Sequence, residues 1–170
     1  MTTIFIALGS NLENPQQQII AGIEKLRLLK ESNLVKISRI WQSAPQGYLH
    51  QPDFYNAAAK LQTRLTAHEL LAELQYIEKH HGRQRTLVNG PRTLDLDLIL
   101  YGDQVIQTPD LIVPHPRLGE RLFVLLPLQD LQPNLMIPKL GSLNHLIEHC
   151  PPQILFPLET EFHGHYSHHL

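Results

Sequence analysis

Between Leu94 and Tyr101 the chain reads L-D-L-D-L-I-L-Y, and this alternation limits the possible folds more than any other feature. With a side-chain period of two, Leu94, Leu96, Leu98 and Leu100 share one face of an extended strand, while Asp95, Asp97, Ile99 and Tyr101 share the other. A helix would scatter both sets around its circumference. The segment is therefore expected to be a strand with one face on a core and two carboxylates on the other. Aspartate is disfavoured in strands, and two carboxylates whose Cα atoms lie ~6.5 to 7 Å apart repel each other. A pair placed this way calls for positive charge.

The rest of the chain supplies the partners such a strand needs. Thr3 to Leu8 reads as a buried strand ended by Gly9-Ser10-Asn11. Pro15 starts a helix whose apolar positions, Ile19, Ile20, Ile23, Leu26 and Leu28 or Leu29, recur at helical spacing as far as Lys30. Leu34 to Trp41 alternates, and Phe54 to Leu65 is again strand-like, with Pro45, Gly47 and Pro52 breaking the chain between them. Thr66 and Glu69 form a capping box ahead of Leu70, Leu71, Leu74 and Ile77, the stripe of a second helix ending near Gly82. After the aspartate strand come a short strand at Gln104 to Gln107, an extended Pro-rich stretch, a brief helix around Leu118 to Leu126 and a last helix at Ser142 to His149. The order strand, helix, two strands, helix, strand is βαββαβ. It predicts an α+β fold with a ferredoxin-like antiparallel sheet, helices packed on one face, the aspartates on the other, and extra C-terminal elements.

A chain of 170 residues holds about one domain, expected here at 1–160, with a flexible tail at 161–170 carrying His163, His165, His168 and His169. A formal charge of −2 gives no bulk attraction to nucleic acid. The lone Cys150 excludes an internal disulfide. No apolar run is long enough for a membrane span, so the expected setting is the cytoplasm.

The positive charge lies directly before the aspartates. From Lys79 the chain runs K-H-H-G-R-Q-R-T-L-V-N-G-P-R-T-L-D, with no acid before Asp95. Arg83, Arg85 and Arg92 offer planar donor forks suited to phosphate oxygens. Asp95 and Asp97 suit magnesium, which takes one or two carboxylates and leaves positions for phosphates and water. Neither G-x-x-x-x-G-K-[ST] nor G-x-G-x-x-G occurs, so phosphate must be held by arginine and metal. Ser43 to Gly47 and Asp53 to Asn56 add a backbone rim, a stackable aromatic and an amide able to read the edge of a flat polar ring. His80 and His81, at the end of the second helix, are expected to complement its dipole.

G-P-R-T-L-D-L-D-L at Gly90 to Leu98, with A-L-G-S-N-L, H-Q-P-D-F-Y-N and V-P-H-P-R-L-G-E-R-L-F-V-L-L-P-L, resembles the 6-hydroxymethyl-7,8-dihydropterin pyrophosphokinase family of folate biosynthesis, in order over Ile4 to Ile137. The resemblance implies a ferredoxin-like fold and transfer of the β,γ-diphosphate of MgATP to the hydroxymethyl oxygen of the pterin, releasing AMP. By position it implies that Asp95 and Asp97 bind two Mg²⁺ and that Arg83, Arg85, Arg92, His115 and Arg121 attend ATP and its phosphates. Gln75 and Glu78 fall at the nucleotide. Ser43, Ala44, Gln46, Phe54, Asn56 and Phe123 fall around the pterin, Asp95 also reaches it, and Phe54 and Phe123 sandwich it. Ala44 stands where a proline or acid is common in the family, and Asn89 where an aromatic is frequent. The expected partners are the two substrates, with no nucleic acid and no membrane, in a monomer able to associate with other folate-pathway enzymes.

Two rival classes use parts of the same pattern. An RNA-binding module on this fold needs stacked aromatics on its central strands, which Asn56 to Lys60 and Leu94 to Leu100 do not supply. A Mg²⁺-dependent phosphohydrolase would use the aspartates and arginines but has no need of a pterin-shaped pocket.

Overall fold

Ile4, Phe5 and Ile6 are all buried, so the first strand, β1 (Thr2–Ser10), is covered on both faces and lies inside a sheet. The structure is a computed structural model in which residues 1–12, 14–44, 52–81 and 94–159 are described. β1 runs antiparallel between β4 (Phe54–Thr63) and β5 (Asp95–Tyr101). The far edge of β4 is shared by two pieces, β2 (Ser32–Ile37) along its C-terminal half and β3 (Trp41–Ser43) along its start. β10 (Leu155–Pro157) pairs with β3 as the outermost strand.

The alternation expected from Leu34 to Trp41 is therefore not one strand. The chain leaves the ladder at Ser38, whose Oγ accepts the Ala58 N–H at 2.8 Å while its own N–H donates to the Ala58 carbonyl at 2.8 Å. A serine that bonds the neighbouring backbone in place of a ladder partner breaks the strand there. β5 holds a second departure. Leu100 pairs with Phe5 and Leu98 with Ile6, which leaves Ile99 as a bulge. The bulge exchanges the faces of the last two residues: Leu100 joins Ile99 on one side, and Tyr101 joins Leu94, Leu96 and Leu98 on the other. There its hydroxyl donates to the Leu65 carbonyl at 2.6 Å.

α1 (Pro15–Arg27) and α2 (Ala67–His80) cover one face of the sheet. Ile19, Ile23 and Leu26 of α1 and Leu70 and Leu74 of α2 pack on Ile4, Ile6 and Leu8 of β1. Each such side chain contributes roughly 1.5 to 3 kcal/mol by leaving water. Leu29 is buried here and Leu28 is exposed. Gly22 lets α1 lie close, since a Cβ there would come within 2.9 Å of Leu94 Cδ2. The capping box of α2 forms as its sequence requires: Thr66 Oγ1 accepts the Glu69 N–H at 3.1 Å and Glu69 Oε1 accepts the Thr66 N–H at 2.8 Å.

The second face is not bare, as an arrangement with helices on one face alone would leave it. α3 (Leu122–Leu131), entered through a 3-10 turn at Leu118–Glu120, packs Val124, Leu125, Leu128 and Leu131 on Phe5, Ala58, Ile99 and Leu100. The helix expected near Leu118 to Leu126 thus begins later and runs on through buried Pro127. Its apolar packing outweighs the bond that proline removes. α4 (Leu143–His149), capped by Ser142, completes this layer. Two hairpins lie outside the main sheet, β6 (Ile106–Thr108) with β7 (Leu111–Val113) and β8 (Met136–Ile137) with β9 (Gly141–Ser142).

Candidate functional site

Beyond the N-terminus of α3 the strands of the second face continue, but their residues change character. Along β5 the buried Ile99 gives way to Asp97 and Asp95, along β1 Phe5 gives way to Ala7 and Gly9, and along β4 Ala58 gives way to Asn56 and Phe54. Small and polar side chains replace the core where no helix covers it. The result is a cavity of about 770 Å³, also lined by Ser43 at the end of β3, by Ala44 after it, and by Arg121, Phe123 and Val124 at the start of α3.

Eight residues singled out from sequence meet there: Ser43, Ala44, Phe54, Asn56, Asp95, Asp97, Arg121 and Phe123. Gln46, Arg83, Arg85, Arg92 and the 161–170 tail lie outside the described residues. Both carboxylates are exposed to the cavity from one face of β5, while Leu94, Leu96 and Leu98 between and beside them are buried. The alternation thus splits the strand as expected up to the bulge. Phe54 enters from the sheet and Phe123 from the helix. The Asn56 side chain has no hydrogen-bond partner among the described residues, so its donor and acceptor are available to a ligand.

Asn56 sits where it does because of Gly9, its cross-strand neighbour. A Cβ at Gly9 would stand 2.9 Å from Asn56 Oδ1, so only glycine leaves the amide room to lie across β1. Gly9, with Ala7, Leu8, Ser10 and Asn11, belongs to the wall and was not singled out as a site residue. Its signal was present in the falling side-chain size of Phe5, Ala7 and Gly9 at alternate positions. Pro152, Gln153 and Ile154 also line the cavity, and nothing in the sequence pattern pointed to them.

His115 stands behind the cavity wall, next to Arg121. Its Nδ1 accepts the Arg117 backbone N–H at 3.0 Å, which leaves the proton of a neutral ring on Nε2, 3.4 Å from Arg121 Nη2. Two donors then point at the same region and need a shared acceptor. Burial first, and then the charges of Arg121 and Arg117, push the His115 pKa below its ordinary value, with Asp97 opposing them. Gln75 and Glu78, by contrast, are on α2 and do not line the cavity. Glu78 is half-buried, and its Oε2 accepts the Leu96 N–H at 2.7 Å. It thus braces the outer edge of β5 at the residue between the two aspartates. His80 donates from Nδ1 to the Tyr76 carbonyl at 2.9 Å within α2, whereas His81 bonds Gln18 Oε1 of α1, and burial and then Lys25 lower its pKa, which works against the charged ring a helix dipole favours.

Asp130, near the end of α3, ties the helix to the sheet beside the cavity. Its carboxylate accepts from Arg39 N at 3.1 Å, Nε at 3.2 Å and Nη2 at 2.8 Å, and from Trp41 Nε1 at 3.0 Å. The Lys36 ammonium donates to its carbonyl at 3.1 Å. The wall carrying Phe123 is thereby fixed relative to the one carrying Ser43.

Among the described residues no group of three or more His, Cys, Asp or Glu could enclose a metal. Two carboxylates opening onto a cavity still fit magnesium, which keeps waters and takes its remaining ligands from phosphate. They do not fit a closed structural zinc site. No helix among the described residues is long and apolar enough to cross a membrane.

The sequence pattern of the 7,8-dihydro-6-hydroxymethylpterin-pyrophosphokinase (HPPK) family matches residues 5–133. A 2-amino-4-hydroxy-6-hydroxymethyldihydropteridine pyrophosphokinase of Pseudomonas aeruginosa is 45% identical over 148 residues, 87% of this chain and 91% of that protein. One of the same description from Haemophilus influenzae is 41% identical over 148 residues, covering 87% and 92%. Among solved structures, a Plasmodium falciparum HPPK-DHPS chain superposes with a TM-score of 0.68 at 14% identity over 87% of this chain. That likeness concerns the fold alone, and this chain spans only 43% of the Plasmodium chain.

Proposed function

The chain belongs to the 7,8-dihydro-6-hydroxymethylpterin-pyrophosphokinase family, and from that premise we propose how its own residues carry the reaction. It is a pyrophosphokinase of folate biosynthesis, transferring diphosphate from ATP to the hydroxymethyl group of 6-hydroxymethyl-7,8-dihydropterin and giving AMP. One observation supports the assignment of parts most directly. A single cavity is lined by two carboxylates, an arginine, two aromatic rings and an amide with no hydrogen-bond partner among the described residues. The arginine, and the carboxylates through magnesium when it is bound, suit a triphosphate, and flat apolar surfaces suit a heterocycle, so one cavity can hold both substrates in contact.

In this reading Phe54 and Phe123 stack on the two faces of the pterin, and Asn56 bonds its polar edge beside Ser43, Ala44 and Gln46. Arg121 and the His115 Nε2–H converge on a phosphate oxygen, an acceptor that both lack among the described residues. Arg83, Arg85 and Arg92, from the basic segment before β5, add charge around the leaving AMP. The nucleotide extends from the cavity along β5 toward α2, where Gln75 is exposed and Glu78 holds the strand in place. Asp95 and Asp97 would hold magnesium, two ions in the full complex, with Asp95 also near the pterin. When bound, magnesium offsets phosphate charge that would otherwise repel the incoming hydroxyl oxygen.

The strand order β5-β1-β4-β2, all antiparallel, with α1 and α2 on one face, supports a ferredoxin-like core in which residues 1–160 act as one domain. A cytoplasmic monomer, able to associate with other folate enzymes, belongs to the same reading. Turnover of ATP by the purified chain with and without 6-hydroxymethyl-7,8-dihydropterin tests the whole. AMP should form only with the pterin present. Formation of ADP, or of AMP at equal rates without pterin, would mark a phosphohydrolase instead.

A further inference from the structure

Pro152, Gln153 and Ile154 come from the segment that follows α4, beyond residues 5–133 where the family pattern matches, yet they form part of the cavity wall. β10 holds this segment in place. Leu155 pairs with Ser43, and Ser43 pairs with Phe54, so the segment enters the cavity beside the residues assigned to the pterin. Asp95, Asp97 and Arg121 approach from β5 and α3. Two features of the segment point to a ligand. Gln153 is half-buried and its side-chain amide has no hydrogen-bond partner among the described residues. Ile154 is 81% exposed, an apolar side chain held in water at the mouth of a cavity.

Neither residue carries charge, so neither complements a triphosphate. An amide and a branched aliphatic side chain suit a neutral heterocycle that has polar edges and an apolar face. We propose that Gln153 and Ile154 form a specificity-determining wall for the pterin, Gln153 hydrogen-bonding its polar edge and Ile154 covering the ring against solvent. The proposal rests on the pterin assignment above, with β10 acting as the anchor that brings a C-terminal arm to the substrate.

The test is calorimetry with the pterin and, separately, a nonhydrolysable ATP analogue, together with steady-state kinetics and melting curves. The variants are Gln153→Leu, Ile154→Ala and, as a reference, Phe54→Ala. Gln153→Leu should weaken pterin binding about three- to tenfold, as loss of one hydrogen bond does, and Ile154→Ala should weaken it by a similar factor. Nucleotide affinity and melting temperature should stay as in the parent. If Phe54→Ala weakens the pterin while neither arm variant does, the wall proposal is overturned and β10 is only an edge strand. Loss of both ligands together, or a lowered melting temperature accounting for the change, would overturn it in favour of a structural role. If Phe54→Ala itself spares the pterin, the pterin assignment fails first and takes the wall with it.

Discussion

One sheet presents two faces that are used differently. On the α1 and α2 side, Ile4, Ile6, Leu8, Leu61, Leu94, Leu96 and Leu98 form an apolar layer that runs to the ends of the strands. On the α3 side, Phe5, Ala58, Ile99 and Leu100 are covered, and then the same strands present Ala7, Gly9, Asn56, Asp97 and Asp95 to a cavity. The first face commits its whole length to apolar packing. The second divides its length, keeping enough covered core to hold α3 and leaving the rest for charge and flat ligands. A strand such as β5 serves both uses at once, since its period of two assigns leucines to one face and carboxylates to the other.

The division is broken most severely by Asp97→Asn. On the cavity face it should lower turnover on the order of a hundredfold or more while the melting temperature hardly moves, because an amide of nearly equal volume binds magnesium poorly. Asp95→Asn should behave alike. Steady-state rates at saturating ATP, pterin and Mg²⁺ beside a thermal melt decide it, and near-parental turnover would remove both carboxylates from the reaction.

Leu70→Ala is the converse change, on the closed face. Leu70 is fully buried in α2, so its truncation should cost about 2 to 5 kcal/mol of stability. The KM values of the folded fraction should not change. Denaturant unfolding provides the measurement, and altered KM values with unchanged stability would show that the two faces are not separate.

Asp130→Asn tests the tie between them. It removes the charge that Arg39 faces and one acceptor for the four hydrogens converging from Arg39 and Trp41, and roughly 1 to 3 kcal/mol should be lost. Trp41 is the one tryptophan, so its fluorescence reports the site directly. An unchanged emission spectrum together with unchanged stability would mean that the α3 clamp contributes nothing.

Gly9→Ala should act more locally. The added methyl group has to displace the Asn56 amide, so pterin affinity should fall by up to about tenfold with little change for ATP, the worth of one or two hydrogen bonds. Equal affinity losses for both ligands in calorimetry would show that Asn56 is not specific to the pterin.

The smallest effect concerns His115. Its pKa is held down by burial and by Arg121 and Arg117, so the folded ring binds a proton less readily than the unfolded one. Its contribution to stability is therefore full above the ordinary imidazole pKa of about 6.5 and declines as pH falls below that value toward the lowered one. NMR titration should find the midpoint below the ordinary value and see it rise when an ATP analogue adds negative charge beside Nε2. A midpoint that ignores the nucleotide would place the phosphates elsewhere.

What the sequence determined by itself is local. Alternation put Asp95 and Asp97 on one face of β5, a capping box began α2, and the spacing of Ile19, Ile23 and Leu26 laid α1 on the sheet, because periodicity and caps act within a few residues. Eight of the residues that the resemblance singled out, from motifs far apart in the chain, line one cavity. The tertiary structure decided what depends on distant partners. Ser38 ends β2 because Ala58 lies opposite, Ile99 bulges and sends Leu100 and Tyr101 to exchanged faces, and α3 runs through Pro127 because the sheet receives its apolar side. The same holds for Gly9 beneath Asn56 and for Gln153 and Ile154 at the cavity mouth: a glycine's clearance and an arm's position arise only when strands from separate parts of the chain pair, and no local pattern encodes them.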